Sequence, residues 1–92
     1  MIEYRLQYTK RAKNDIVKFK EAGNKAALKK VDVLLKELAK HPKTGTGHPE
    51  QLKGHLNHWS RRITEKHRLI YEIKDEIVLV VVISAYGHYD DN

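Results

Sequence analysis

The chain has no cysteine among its 92 residues. Neither a disulfide nor a thiolate metal site can be built from it, and a reducing cytoplasm is the expected setting. It also lacks a long apolar run. The longest, residues 77–83, is seven residues, far short of the roughly 20 that a membrane-spanning helix requires. The start, Met1-Ile2-Glu3-Tyr4, has no basic segment, apolar stretch or small-residue cleavage site, so no secretory signal is expected. Six histidines are present, but no helical His-Glu-x-x-His pattern and no compact carboxylate cluster accompany them, so no metal or other cofactor is expected. Gly45-Thr46-Gly47 lacks the full phosphate-cradling fingerprint and follows a helical pattern rather than a strand, which argues against nucleotide binding.

What the chain does have is positive charge. Eighteen Lys and Arg oppose twelve Asp and Glu, for a formal net charge of +6 and an isoelectric point near 9.6. A small basic protein is drawn to polyanions, nucleic acid foremost. Much of the lysine falls on expected helices, where solvation explains it. The cations from Arg61 to Arg68 are different, because they crowd into one short stretch of expected sheet. The length suits one domain, residues 1–92, with no chain left for a second core.

Alternation over residues 2–8 predicts a first strand with Ile2, Tyr4, Leu6 and Tyr8 on one face. Thr9 is then an N-cap for a helix over residues 10–22, stopped by Gly23, with Ala12, Ile16 and Phe19 inward. Asn24 caps a second helix running to about His41, where Pro42 ends it. Ala27, Leu28, Val31, Leu34, Leu35 and Leu38 form its apolar stripe. Residues 42–54 read as a loop with a short extended piece at 51–53. Three strands follow, near residues 58–64, 68–73 and 77–84, joined by turns at 65–67 and 74–76. The last is apolar on both faces and belongs in the sheet interior, with the first strand beside it. The expected class is α+β: two N-terminal helices on one face of a mainly antiparallel four- to five-stranded sheet.

The hairpin from Trp59 to Tyr71 places Trp59, Ile63, Leu69 and Tyr71 on one face and Ser60, Arg62 and Arg68 on the other. A rigid face carrying guanidinium groups suits phosphate, whose oxygens match the planar fork. Cutting RNA through its own 2′-hydroxyl requires a base, a cation for the developing phosphorane and an acid for the leaving 5′-oxygen. Glu50, in the loop between His48 and Lys53, is the candidate base. Arg68, opening a strand on the polar face, is the candidate cation. His88 is the candidate acid, since imidazole titrates near neutrality, and Tyr89 stands beside it to share or orient the proton.

Three segments, read together, strengthen this. They are Gly47-His48-Pro49-Glu50-Gln51-Leu52-Lys53, Trp59-Ser60-Arg61-Arg62-Ile63-Thr64, and His67-Arg68-Leu69-Ile70-Tyr71, with a close on Gly87-His88-Tyr89. The combination strongly resembles the YoeB/Txe toxins of the RelE/ParE toxin–antitoxin superfamily, over essentially the whole chain. The resemblance implies a RelE-like fold and an endoribonuclease that cleaves messenger RNA on the ribosome and is silenced by a YefM-like antitoxin. By matching positions it implies Glu50 as general base, Arg68 as phosphate-stabilising arginine, His88 as general acid and Tyr89 in support. Lys53, Arg61 and Arg62 would contact substrate or ribosome, and a homodimer is compatible with the family. The chain departs from the family pattern by continuing Asp90-Asp91-Asn92 beyond the tyrosine and by carrying Gly87 where a bulkier residue is expected. Two other readings belong beside this one: a ParE-like toxin that inhibits DNA gyrase without cutting, and a nucleic-acid-binding module without catalysis.

Overall fold

A computed structural model describes residues 2–87. Strand β1 (Arg5–Tyr8) gives way to helix α1 (Lys10–Glu21) at Thr9. There the hydroxyl accepts the Ala12 N–H at 3.0 Å and donates to the Ile83 carbonyl at 2.7 Å. One side chain thus satisfies an orphan donor of the first helical turn and ties the helix start to the last strand. Gly23, at φ +67°, lets the chain leave α1 in a conformation that a Cβ disfavours. Asn24 then caps helix α2 (Lys25–Lys40) by accepting the Ala27 N–H at 3.1 Å.

The remaining strands are β2 (Glu50–Gln51), β3 (His58–Arg62), β4 (Arg68–Lys74) and β5 (Leu79–Ser84). They form one five-stranded sheet in the order β1-β5-β4-β3-β2. β1 runs parallel to β5 and every other pair is antiparallel. β5 therefore lies inside the sheet with β1 at its flank, which accounts for its Val- and Ile-rich sequence. Phe19 of α1 and Val31, Leu34 and Leu38 of α2 pack with Leu69, Tyr71 and Ile73 of β4 and Val80 and Val82 of β5 in one buried cluster. Each fully buried large apolar side chain of this kind contributes about 1.5–3 kcal/mol. The other sheet face carries Ser60, Arg62, Arg68 and Glu72, the alternate positions of β3 and β4.

Boundaries differ from expectation where local geometry overrides the apolar pattern. β1 begins at Arg5, and Ile2 is exposed. The turn after β4 is a 3-10 turn, Asp75–Ile77, closed by Val78 in the left-handed region at φ +52°. Ile77 consequently faces solvent and β5 starts two residues late. β3 stops at Arg62, because the Ile63 and Thr64 N–H groups turn to the His67 carbonyl. The extended piece of the long loop is Glu50–Gln51, displaced towards the N-terminus from the expected 51–53.

Candidate functional site

Glu50 reaches the sheet by pairing with Ser60, and Ser60 is opposite Ile70 on β4. Residues directly opposite in an antiparallel ladder share a face, so Glu50 and Ser60 stand on the side that also carries Arg62 and Arg68. The Arg68 guanidinium lies 3.6 Å from the Glu50 carboxylate and 3.5 Å from the Ser60 hydroxyl. The Glu50 side chain is 69% exposed and that of Arg68 24%. An ion pair this open adds about 0–1 kcal/mol to a fold, so stability does not explain its placement. Arg62 and Arg68 are register partners on adjacent strands. Two like charges directly opposite repel, and a bound anion would relieve that repulsion. Gly45, His48, Pro49, Glu50, Arg62 and Arg68 line an open cleft of about 570 Å³.

The structure thus brings Glu50, Arg62 and Arg68 together. Lys53 sits further along, exposed on the loop between β2 and β3 beside Leu52 and His55, and does not line the cleft. His88 and Tyr89 lie outside the described residues. His48 is a cleft residue that the sequence reading used only as a neighbour of Glu50. Its backbone is left-handed at φ +51°, which histidine tolerates better than most residues. Among the described residues, no group of three or more His, Asp or Glu is arranged to hold a metal ion.

The expectation that Arg61 contacts substrate is corrected. Arg61 shares the strand parity of Trp59 and Ile63, so its side chain enters the helix-facing side of the sheet and is completely buried. Its Nε donates to the Tyr71 hydroxyl at 3.1 Å and one terminal nitrogen pairs with Glu37 at 2.9 Å. The other terminal nitrogen donates to the carbonyls of His41 and Thr44. Tyr71 in turn donates to the Pro42 carbonyl at 2.8 Å. Glu37 completes the knot by accepting the Thr46 hydroxyl at 2.6 Å and the Thr46 N–H at 2.8 Å. The Thr46 hydroxyl bond, then the Thr46 N–H and the Arg61 guanidinium, hold the Glu37 carboxyl below its usual range against partial desolvation. Arg61 therefore fastens the loop that leads into Glu50.

The glycines of that loop answer to packing. A Cβ on Gly47 would lie 2.8 Å from the Arg62 carbonyl oxygen, and one on Gly45 would collide with the Glu37 carboxylate. Arg62 N–H also donates to the Gly47 carbonyl at 2.7 Å, which lays the loop along β3 just before His48 and Glu50.

In fold the chain is similar to the YoeB/ParE toxin from Agrobacterium tumefaciens, with a TM-score of 0.83 over 92% of this chain and 99% of that one, at 30% identity. Two helices on a five-stranded mixed sheet, with a basic cleft on its open face, define a class: the small toxins of bacterial toxin–antitoxin systems. The family model described as the YoeB-like toxin of bacterial type II toxin-antitoxin system matches residues 8–89. The chain belongs to that family. Toxin YoeB of Synechocystis sp. is 38% identical over 86 residues, covering 92% of this chain and 96% of that protein. The Staphylococcus aureus YoeB is similar both as a dimer (TM-score 0.80, 31% identity, 95% of this chain and 99% of that one) and in a YoeB–YefM complex (TM-score 0.77, 33% identity, 94% and 98%).

Proposed function

We propose that this toxin is a ribosome-dependent endoribonuclease that cuts messenger RNA through the substrate's own 2′-hydroxyl, without a metal ion, and thereby inhibits translation in the cytoplasm. The observation that carries the reading is the Glu50 carboxylate 3.6 Å from the Arg68 guanidinium, in an open cleft whose other cation is Arg62. The scissile phosphate takes the Arg68 fork, and Glu50 turns to the adjacent 2′-hydroxyl and removes its proton. The 2′-oxygen forms a bond to phosphorus while the bond from phosphorus to the 5′-oxygen breaks. Arg68, with Arg62 opposite, offsets the charge that accumulates on the phosphorane oxygens. His88 delivers a proton to the departing 5′-oxygen, with Tyr89 supporting it. The products are a 2′,3′-cyclic phosphate, which can open to a 3′-phosphate, and a 5′-hydroxyl. Lys53, on its exposed loop, contacts RNA or ribosome away from the chemistry.

A solvated carboxylate is a weak base towards a hydroxyl, so orientation of the substrate must supply much of the acceleration. The ribosome supplies it by holding the messenger in register. A YefM-like antitoxin neutralises the toxin by covering the basic face. The Staphylococcus aureus YoeB–YefM complex supports that partner, and the dimer from the same organism supports self-association. The reading is tested by primer extension on messenger RNA after induction of the wild type and of Glu50→Gln. Sharp breaks within codons that vanish in the variant are expected; breaks that persist unchanged in the variant would remove Glu50 from the chemistry.

A further inference from the structure

The open cleft contains an imidazole to which the nuclease reading gives no task. His48 lines it together with Pro49, Glu50, Arg62 and Arg68. The side chain is exposed, so it adds little to the core. Among the described residues its ring has no hydrogen-bond or ion-pair partner. The neighbouring histidines of the β2–β3 loop are engaged within the protein. His58 Nδ1 donates to the Leu56 carbonyl at 3.1 Å, and the His55 and His58 ring centres lie 5.5 Å apart.

The backbone that presents this ring is fixed on both sides. Before it, the Gly47 carbonyl accepts the Arg62 N–H at 2.7 Å, which lays Gly47 against β3. After it, Glu50 pairs with Ser60 and Gln51 with Trp59. His48 and Pro49 span the gap between these two anchors. A proline pushes the residue before it towards extended backbone, yet His48 sits at φ +51° in the left-handed region. Such a conformation persists where the surroundings over-determine it, and it clusters at ligand sites. The side chain therefore leaves a fixed point on the loop wall of the cleft, while Arg62 and Arg68 furnish the sheet wall from β3 and β4.

Those two walls suit two different parts of a nucleotide. Guanidinium groups take phosphate oxygens, whereas an exposed imidazole offers a flat face on which an unpaired base can stack. Glu50, two residues beyond His48, is the group that takes the 2′-hydroxyl proton. The nucleotide supplying that hydroxyl lies on the 5′ side of the scissile phosphate, so its base falls over the loop wall. The geometry points to His48 as a substrate-contacting residue that stacks on the base of this nucleotide, and so makes cutting depend on the base there. The inference rests on the nuclease reading above. It gives the cleft a division of labour: the arginines bind the backbone of any RNA, and His48 senses the base beside the cut.

Three substitutions separate the ring from its charge. His48→Ala removes both, His48→Tyr keeps a flat ring, and His48→Lys supplies a cation without one. Cleavage is followed on programmed ribosomes with two messengers. One is natural, and the other lacks only the base of the nucleotide whose 2′-hydroxyl attacks. On the natural messenger His48→Ala should lower kcat/KM by about tenfold. His48→Lys should fall as far, and His48→Tyr should stay close to the wild type. On the base-less messenger the wild type and His48→Ala should coincide, because the ring has nothing to stack on. Wild-type cutting of the natural messenger by His48→Ala or His48→Lys overturns the inference, as does a His48→Tyr protein as slow as His48→Ala. Equal slowing of His48→Ala on both messengers overturns it too. If the wild type cuts only the natural messenger, the three substitutions decide on their own. A wild type that cuts neither messenger overturns the nuclease reading itself, and this inference with it.

Discussion

A guanidinium cannot discard its proton, so a protein that buries one must surround it with acceptors. Arg61 meets that demand with the Glu37 carboxylate, the Tyr71 hydroxyl and two carbonyls of the loop after α2. Replacing it with methionine would leave these acceptors without their donor, and a loss of about 3 kcal/mol in urea unfolding is expected. Arg68→Ala is the contrasting case, because Arg68 is partly exposed and its ion pair adds little to the fold. Cleavage should fall by about 10²–10³-fold with the melting temperature nearly unchanged; a large fall in melting temperature would make Arg68 a structural residue. Glu37 gives a pH signature. Its carboxyl is held below the usual range in the folded state, first by the Thr46 hydroxyl. That contribution is complete above the unfolded carboxyl's value of about 4.3 and is lost as pH falls through the folded value. Glu37→Gln should therefore be less stable than the wild type at neutral pH, and the two unfolding midpoints should converge as the pH falls through the lowered value of the folded carboxyl. Midpoints that stay equally far apart in acid would show that the charge of Glu37 is not what matters.

Elements whose signals are local were legible in the sequence. Thr9 and Asn24 cap their helices as expected, because a cap needs only a side chain and a donor three residues on. The apolar stripe of α2 and the interior position of β5 followed from periodicity alone. What misled was the apolar character of Ile2 and Ile77, which pattern reasoning assigned to strands and which the ladder leaves outside. On α1 the stripe omitted Asp15, since a carboxylate on an apolar face gives no hint that two N–H groups some 70 residues later will meet it. The loop of residues 41–49 shows the same limit. Its glycines looked like an incomplete nucleotide motif, yet their purpose is close approach to Glu37 and to the backbone of β3. Gly47→Ala would set a Cβ 2.8 Å from the Arg62 carbonyl oxygen at a backbone angle of φ +85°. Strain of about 1–3 kcal/mol is expected, read as a lower thermal midpoint together with slower cleavage, because the same loop delivers Glu50. A Gly47→Ala protein with wild-type stability would mean that the loop yields freely.

At the scale of the whole molecule, two surfaces of one sheet divide the arginines of β3 between the buried network and the open cleft. Alternation alone sends Arg61 inward with Trp59 and Ile63, and Arg62 outward towards Arg68 and Glu50. Their adjacency in sequence had grouped them as one basic patch, although period two separates them onto opposite faces. The convergence of Glu50 with Arg68 depended on β2 pairing with β3, which a two-residue strand in a Pro- and Gly-rich loop scarcely announces. The division has a measurable consequence. With a net charge of +6 the protein approaches any polyanion through long-range attraction, and each phosphate contact made at the surface adds about one to the slope of log affinity against log salt. Arg62→Ala should weaken toxin binding to messenger-programmed ribosomes and reduce that slope by about one. Replacing the buried Arg61 with methionine should leave the slope of whatever fraction remains folded unchanged. Equal changes in slope for both variants would put Arg61 at the surface and contradict the buried network that holds the loop.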